Sequence, residues 1–234
     1  MVRLNDLSRI AFEPVASSRL SFSSLSRIAF EPVEHRYTLD GETLPSVTQV
    51  LRLLDDFSGI PPGVLEKARL RGGDVHDAIE LIEADDLDPN TVSDEIAPFL
   101  EQYRKFKMTC LPVFSICEGL VFDDGLRIAG TLDLFGTIVR NGAGPVEPWL
   151  LDVKTPVEVS RTWALQTWAY LRAALRNGIR QRHTGMIFTI PPETRRGVLH
   201  LRPDGWKLVE HEPTFDDEIV WQSACNIHRW KARK

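Results

Sequence analysis

Runs of apolar residues in the middle of the chain, each bounded by turn residues, predict three consecutive β-strands. The runs are rich in Val, Ile, Leu and Phe and cover Val113–Phe122, Leu126–Val139 and Trp149–Thr155. Asp-Asp-Gly at 123–125 turns the first strand into the second, and Asn141–Gly144 turns the second into the third. The centre of the chain is therefore predicted to be a series of strands joined by short turns.

Helical patterns precede these strands. A Ser-Val-Thr-Gln capping box at Ser46 predicts that a helix begins there. Residues 63–83 are helical in composition, but the glycines at 72–73 are expected to divide them into two pieces. A further helix is expected from a Ser93 cap through about Lys107.

Helices and strands also alternate after the central strands. Residues 161–177 form an amphipathic pattern closed by Gly178, and Thr214 precedes the last helical run. Two or three further strands are expected, over 183–190, 196–202 and 206–210. The order α-β-β-β-α-β predicts the α/β class, with a mixed central sheet flanked by helices and a helical N-terminal elaboration.

A nine-residue segment, LSRIAFEPV, occurs twice, at Leu7–Val15 and at Leu25–Val33. Two copies are too few for a solenoid, which needs about three units to bury a core. A tandem duplication, or an upstream start that copies one strand, explains the repeat; the alternative is that either copy can fill one strand position. We interpret residues 1–34 as an N-terminal extension and residues 35–234 as a single domain, in which Asp-Gly at 40–41 predicts a hairpin.

The composition favours a soluble, cytoplasmic protein. Among 234 residues, 28 are Lys or Arg and 33 are Asp or Glu, so the net charge of −5 excludes a broadly polybasic protein. No apolar run approaches the ~18–20 residues of a membrane span, and the N-terminus lacks a signal-peptide pattern. The three cysteines (Cys110, Cys117 and Cys225) form no close pair, which argues against a disulfide framework or a four-cysteine zinc site.

The segment Asp152-Val153-Lys154 carries the clearest sign of chemistry. Asp152 and Lys154 are two residues apart, so on a strand both point to one face, within an apolar run that normally excludes charges. Asp133 is another acid inside an apolar strand, and a turn centred at position 142.5 would place it opposite Asp152. Because this centre falls within the Asn-Gly-Ala-Gly turn, the two carboxylates and the lysine are expected to converge.

Such a group of side chains suits a divalent cation. Carboxylate oxygens are the ligands that Mg²⁺ prefers, and the bound ion polarises a phosphodiester and helps to generate hydroxide. Gln166 and Tyr170, four apart on the next helix, can reach a phosphate or orient the lysine, and His76 follows two glycines on an earlier helix. The alternative is structural: separate buried ion pairs, a solvated Gln166 with a core Tyr170, and a histidine used for packing.

Four motifs follow one another in an order that resembles a nuclease family. They are His76, Gly130–Asp133, Asp152–Lys154 and Gln166–Tyr170. Over roughly residues 35–190 they resemble the RecB-like exonuclease branch of the PD-(D/E)XK nuclease superfamily, and residues 35–51 also resemble its phage-type members. The resemblance implies a restriction-endonuclease-like α-β-β-β-α-β core and metal-dependent hydrolysis of DNA.

The resemblance also implies a set of metal ligands. Asp133 and Asp152 would bind Mg²⁺, or Mn²⁺ in its place, with the Val153 carbonyl and His76 as helpers. Glu118, on the first strand, is a further candidate acid of lower rank.

The remaining site residues receive supporting roles from the same resemblance. Lys154 would position the attacking water and stabilise developing charge, whereas Gln166 and Tyr170 would steady the active site or the DNA backbone. Iron–sulfur members carry four cysteines around the nuclease core. The three cysteines of this chain do not fit that pattern, so we expect no iron–sulfur cluster.

An acidic protein that cuts DNA needs a local positive path for the phosphates. The candidates for DNA contact are Arg71, Arg161, Trp163 and Arg172. Solvated arginines and a core tryptophan are the alternative. We expect an exonuclease that acts on DNA ends in recombination, repair or phage replication, in a bacterial or phage-infected cell. A structure-selective endonuclease and a non-catalytic DNA-binding module are the alternatives, and a separate helicase or recombinase partner is left open, as is the oligomeric state.

Overall fold

The structure is a computed structural model that describes residues 27–56 and 58–233 of the chain. Helices flank a mixed seven-stranded sheet, beside a three-stranded antiparallel sheet. The predicted α/β class is therefore confirmed. The first copy of the repeated segment lies outside the described residues, so its relation to the second copy stays a prediction, as does the division at residues 34 and 35.

Ten strands and five α-helices make up the described part of the chain. The strands are β1 (Ile28–Glu31), β2 (Arg36–Leu39), β3 (Glu42–Leu44), β4 (Val113–Asp123), β5 (Ile128–Val139), β6 (Val146–Lys154), β7 (Ile179–Gln181), β8 (Ile187–Phe188), β9 (Arg195–Arg202) and β10 (Gly205–Glu210). The helices are α1 (Val47–Leu51), α2 (Pro62–Glu83), α3 (Ala97–Cys110), α4 (Thr162–Asn177) and α5 (Phe215–Ala232).

Strand β6 is an interior strand of the large sheet, whose order is β10-β9-β6-β5-β4-β7-β8. Neighbouring strands are antiparallel except β6 and β9, which run parallel from the pair Trp149–Arg195 to the pair Lys154–His200. A parallel neighbour requires a crossover connection, and this one contains helix α4. The arrangement places the end of β6, with Asp152 and Lys154, beside the beginning of α4.

Helices cover both faces of this sheet because successive strand residues point to opposite sides. Leu134 and Leu151 pack with residues of α2 and α3 on one face. Phe135 and Leu150, their neighbours in sequence, pack with α1, α4 and α5 on the other face. Each fully buried apolar side chain of this size contributes about 1.5–3 kcal/mol, so both helical layers hold the sheet in place.

Several local predictions are confirmed. Asp40 and Gly41 both have positive φ, at 53° and 83°, as a tight two-residue hairpin requires. Ser46 and Gln49 form the predicted capping box at α1. Gly178, with φ of 83°, ends α4, and Thr214 caps α5.

The predicted break at the glycines 72–73 is wrong, because α2 runs without interruption from Pro62 to Glu83. A glycine inside a helix costs roughly 1 kcal/mol relative to alanine. Burial of Val75 and Ile79 against the sheet offsets that cost. Gly72 also brings the helix close to β6: a Cβ at that position would lie 3.6 Å from the Thr155 hydroxyl.

Two other boundaries differ from the predictions. Helix α3 begins at Ala97 rather than at Ser93, whose backbone carbonyl, not its hydroxyl, accepts from the N–H groups of Ile96 and Ala97. After α4 the chain forms two short strands, β7 and β8, in place of one strand over 183–190. A turn with Gly185 at φ of 71° separates them.

Candidate active site

Three carboxylates lie in a row across the neighbouring strands β4, β5 and β6. The β5–β6 pairs run up to Leu134 opposite Leu151, so the next step of that register places Asp133 opposite Asp152. In the same way, the β4–β5 pairs on either side place Glu118 opposite Asp133. The β5–β6 register agrees with the predicted turn position.

The backbone hydrogen bonds between β5 and β6 end at this row, where the Asp133 side chain makes the next hydrogen bond to β6. Its Oδ2 accepts the backbone N–H of Val153 at 2.6 Å. The other oxygen, Oδ1, lies 3.4 Å from His76 Nδ1, and the Asp133 side chain is 12% exposed. This hydrogen bond from a backbone N–H orients the Asp133 carboxylate without occupying another side chain.

Asp152 and Lys154 form an ion pair on the same face of β6, as their spacing predicts. The Lys154 ammonium lies 2.7 Å from Asp152 Oδ2, and Asp152 is only 1% exposed. The amide of Gln166 donates to Asp152 Oδ1 at 2.8 Å and to the Tyr170 hydroxyl at 3.1 Å. Helix α4 thus supports the Asp152 carboxylate from behind, and both Gln166 and Tyr170 are buried.

His76 of α2 faces the same row from the other layer of the fold. Its Nδ1 lies 3.4 Å from an Asp133 oxygen and 3.9 Å from a Glu118 oxygen. Its Nε2 donates to the Val153 carbonyl at 3.0 Å. That carbonyl orients the imidazole so that Nδ1 points at the two carboxylates.

Glu118 adopts a backbone conformation that is unusual for a strand residue. Its φ is +53°, in the left-handed region, which costs a non-glycine residue of order 1–3 kcal/mol. The next residue is Gly119, where a Cβ would lie 2.5 Å from a methyl group of Ile179 and could not fit. This kink in β4 sits at the position that turns the Glu118 carboxylate toward His76.

The charges of His76 and Asp133 stabilise each other. Burial opposes the charged imidazole, but the Asp133 carboxylate raises the pKa of His76 well above its ordinary value. Burial likewise opposes the charged carboxylate, but His76 lowers the pKa of Asp133. Glu118 differs, because burial raises its pKa and the Asp133 charge adds to the shift.

The Asp152–Lys154 pair shows the same competition between burial and attraction. Burial raises the pKa of Asp152 to about 6, against the pull of Lys154. The pKa of Lys154 is raised despite burial, because Asp152 and Asp133 both attract its positive charge. The side chain of Lys154 is 18% exposed, so part of it still reaches solvent.

With the His76 imidazole neutral, the donor set of His76, Glu118 and Asp133 fits a divalent cation, which would take the place of the proton on Nδ1. One ligand atom of each lies within 4.8 Å of the others, and His76 Nδ1 lies 3.4 Å from Asp133 and 3.9 Å from Glu118. Ligands of one octahedral ion with bonds of about 2.1 Å are roughly 3–4.2 Å apart. A histidine ligand that donates its other N–H to a backbone carbonyl is also a common arrangement in metal sites.

Asp152 and the Val153 carbonyl, the other two predicted metal ligands, already have partners within the protein. Asp152 lies next to the cluster, but both of its oxygens are bound, to Lys154 and Gln166. The Val153 carbonyl accepts from His76. Their ligand roles stay predictions.

Sequence reasoning missed two residues that border the site. Arg182, after β7, lies 3.9 Å from Glu118 and bonds to Glu80 of α2 at 3.0 Å. Asp55 accepts from Thr162 at 3.0 Å and ties the loop after α1 to the start of α4. No motif in the sequence signals either residue, because both act through contacts between elements distant along the chain.

The residues predicted to contact DNA are dispersed. Trp163 is 5% exposed and meets His200 edge to face, with ring centroids 5.2 Å apart, so it presents no free ring face. Arg172 is paired with Asp123 and with Glu218. Arg71 stacks over Phe99 at 5.4 Å.

Arg161 differs from these because it is exposed, at the beginning of α4 beside the end of β6. The placement favours Arg161 and does not support Trp163 or Arg172 as contacts. All four DNA roles stay predictions.

Comparison of the chain with protein-family models gives no match, and comparison with curated proteins gives none either. Within residues 27–56 and 58–233, no helix has both the length and the apolar character to cross a bilayer.

Proposed function

We propose that this protein is a metal-dependent nuclease that hydrolyses phosphodiester bonds in DNA. The observation that supports this most is the convergence of Asp133, Asp152 and Lys154 with His76 and Glu118 at one point of the sheet. Buried charges of this density are costly in a structural core, so a site that binds ions and phosphates explains them better than packing does.

His76, Glu118 and Asp133 are the residues that we expect to hold the cation. A bound Mg²⁺ or Mn²⁺ stabilises charge on a phosphate and lowers the pKa of its own water. The imidazole nitrogen favours a first-row metal such as Mn²⁺ over Mg²⁺, which prefers oxygen ligands. The positive charge of Arg182 balances the negative charge of Glu118, which lies at the opposite end of the row of carboxylates from Lys154.

Lys154 is the residue that we expect to face the scissile phosphate. Its ammonium group is held 2.7 Å from Asp152 and its side chain is partly exposed, so we expect it to donate to a water or a phosphate oxygen bound beside it. Asp152 keeps the lysine in place and is in turn held by Gln166, which also contacts Tyr170. These two α4 residues are positioning residues in this proposal.

DNA ends are the proposed substrate, and the order of the four motifs, which resembles RecB-like exonucleases, supports this choice. A negative chain repels DNA, so local cations are needed. Exposed Arg161 at α4 supplies positive charge, whereas the exposed Lys67 and Arg69 on α2 are paired with Glu95 and Glu66. We place the activity in the cytoplasm of a bacterial or phage-infected cell.

The test uses end-labelled linear DNA, single- and double-stranded, beside closed circular DNA, with Mg²⁺, Mn²⁺ or EDTA. We expect loss of linear DNA alone, in the presence of either metal. Nicking of circles would favour a structure-selective endonuclease. Absence of cleavage with folded protein and either metal would contradict the proposal and favour a DNA-binding module.

Lys154→Ala is the decisive variant in this assay. We expect it to abolish cleavage while Mn²⁺ binding persists, because Lys154 does not belong to the cluster of His76, Glu118 and Asp133. Lys105→Ala, which removes an exposed lysine of α3, is the matched control and should cleave normally. Cleavage that survives in Lys154→Ala would remove the lysine from the mechanism or reveal a contaminating nuclease.

A further inference from the structure

Helix α5 has apolar side chains on two opposite faces. Its inner face consists of Trp221, Ala224 and Cys225, which are at most 1% exposed and pack in the core beside α4. Its outer face consists of Phe215, Ile219, Ile227 and Trp230. At 100° per residue the mean directions of these two groups are about 180° apart, so the outer side chains point away from the protein.

The outer face is far more exposed than such residues usually are. Phe215 is 84% exposed, Trp230 is 70% exposed, and Ile219 and Ile227 are each 47% exposed. Single exposed apolar residues are ordinary on protein surfaces, but a contiguous group on one helix face marks an interaction site. Aromatic residues are also the type that most often anchors protein interfaces.

Charge is distributed unequally along the same helix. The first turn is acidic, with Asp216, Asp217 and Glu218, and the last turn is basic, with Arg229 and Lys231. Asp217 is buried and paired with Arg196, and Glu218 is paired with Arg172, so Asp216 is the acid of this turn that faces solvent. Asp216 and Lys231 are exposed and flank the apolar face. A helix of this kind is complementary to itself when two copies run antiparallel, because Asp216 of each copy then meets Lys231 of the other.

We propose that the outer face of α5 is a homodimer interface, in which α5 packs antiparallel against α5 of a second copy around Ser223. In this register Phe215 meets Trp230 of the second copy, and Ile219 meets Ile227 of the second copy. Asp216 meets Lys231 of the second copy on the same flank. In each of the three pairings, the midpoint of the two residue numbers lies within half a residue of 223. A single two-fold axis near Ser223 therefore relates the partners in all three pairings.

Ser223 suits the centre of this crossing. It is exposed and small, so two helix backbones can approach closely there. Its hydroxyl already donates to the Ile219 carbonyl at 2.7 Å, so covering it leaves no unpaired donor. The interface is limited to one helix of 18 residues, about 27 Å long, so we expect reversible dimers with micromolar affinity rather than an obligate dimer.

Two other occupants of this face are possible outcomes of the test: residues 1–26 of the same chain and an unrelated partner protein. Self-association is favoured because the helix carries both halves of each complementary pair. The proposal concerns a surface on the far side of α5 from α4, so it does not depend on the nuclease proposal.

Sedimentation velocity of the full chain over a range of concentrations tests the proposal, with mass as the readout. We expect a monomer–dimer equilibrium. Phe215→Ser combined with Trp230→Ser should weaken dimerisation by about tenfold or more, because both anchors are lost. Both side chains are mostly exposed, so the free energy of unfolding of the monomer should hardly change. Val33→Ser, at a residue 93% exposed and outside α5, is the matched control and should leave the equilibrium unchanged.

A charge exchange tests the register itself. Asp216→Lys should weaken the dimer, and addition of Lys231→Asp should restore it. A protein that is monomeric at every concentration would overturn the proposal, as would a dimer that survives the double serine variant. A double serine variant whose monomer unfolds more easily would also overturn it, because the face would then be covered by the chain itself.

Discussion

Asp133 accepts a hydrogen bond of 2.6 Å from the backbone N–H of Val153, the residue that separates Asp152 from Lys154. The acid of one strand is thus joined to the middle of the Asp-Val-Lys segment of the next. Because His76 binds the carbonyl of the same Val153, one residue of β6 orients both an acid and an imidazole. The geometry of the candidate metal site is therefore set largely by backbone groups.

Asp133→Asn should weaken Mn²⁺ binding by roughly 10–100-fold, the range typical for damage to a metal site. The asparagine oxygen can still accept from Val153, so the strand contact is kept while the negative charge beside His76 is lost. Isothermal titration calorimetry of the folded protein measures the effect directly. It requires no cleavage activity.

Asp86→Asn is the matched control for this measurement, because Asp86 is an exposed acid just beyond the end of α2. We expect its Mn²⁺ affinity to equal that of the unaltered protein. An Asp133→Asn variant that binds equally well would contradict the ligand role of Asp133.

Gly130→Ala should destabilise the fold by about 1–3 kcal/mol and reduce cleavage. A Cβ at residue 130 would lie 2.7 Å from the Tyr170 ring and 3.2 Å from a methyl group of Val47, so the ring must move. Tyr170 is 3% exposed and contacts Gln166, which holds Asp152. Urea unfolding and the cleavage assay measure the two effects.

Gly73→Ala, on the exposed side of α2, controls for the loss of a glycine. A Cβ at this position would meet nothing within 4 Å, so the helix should gain stability, by about 0.5–1 kcal/mol. If Gly130→Ala were as stable as the unaltered protein, the close packing of β5 against Tyr170 would not hold the site.

Stability should fall in mild acid because of His211. Burial, together with the positive charge of Arg196, lowers the pKa of His211 from 6.5 to about 4. Between about pH 4 and pH 6.5, the unfolded chain binds a proton at His211 that the folded protein does not bind. The free energy of unfolding contributed here is therefore complete above 6.5 and is lost as the pH falls toward 4.

His211→Gln should reduce this loss, because glutamine does not titrate. Urea unfolding at neutral pH and near the lower end of the window measures the difference. His228→Gln is the matched control, since His228 lies on α5 away from Arg196, and it should keep the full pH dependence. An unchanged slope in His211→Gln would show that other groups cause the acid sensitivity.

Strands β4, β5 and β6 and the convergence of Asp133, Asp152 and Lys154 could be predicted, because both depend on patterns that are local in the sequence. Alternation and turn residues identify β4, β5 and β6, and the turn position fixes their register. With the register known, Asp133 and Asp152 must lie side by side. The spacing of Asp152 and Lys154 then determines that both share one face.

The remaining features depend on contacts between distant segments, which sequence patterns do not encode. The continuity of α2 through its glycines follows from burial of Val75 and Ile79. The sequence likewise does not reveal that Trp163 packs against His200 or that Arg172 pairs with Asp123. The left-handed conformation of Glu118 occurs next to Gly119, against which the Ile179 side chain packs closely, and no local pattern indicates either feature.

Deletion of residues 1–22 should leave cleavage and the free energy of unfolding unchanged. The second copy of the repeat supplies β1, whose Ile28 is 1% exposed and pairs with Leu39 of β2. Its backbone carbonyl also accepts from Arg180. Nothing in these contacts requires the first copy. Loss of folding on deletion would show that the first copy is structural.

Ile28→Ala, made both in the full chain and in the deletion variant, tests whether the first copy can occupy the same strand position. Truncation of a buried isoleucine costs about 2–5 kcal/mol when no substitute exists. The first copy carries the same residues, and closing the longer loop that it would require adds only about 0.6 kcal/mol for each doubling of length. If the first copy can replace the second, the full chain should lose less stability than the deletion variant on Ile28→Ala. Equal losses in both backgrounds would mean that the first copy does not enter the sheet.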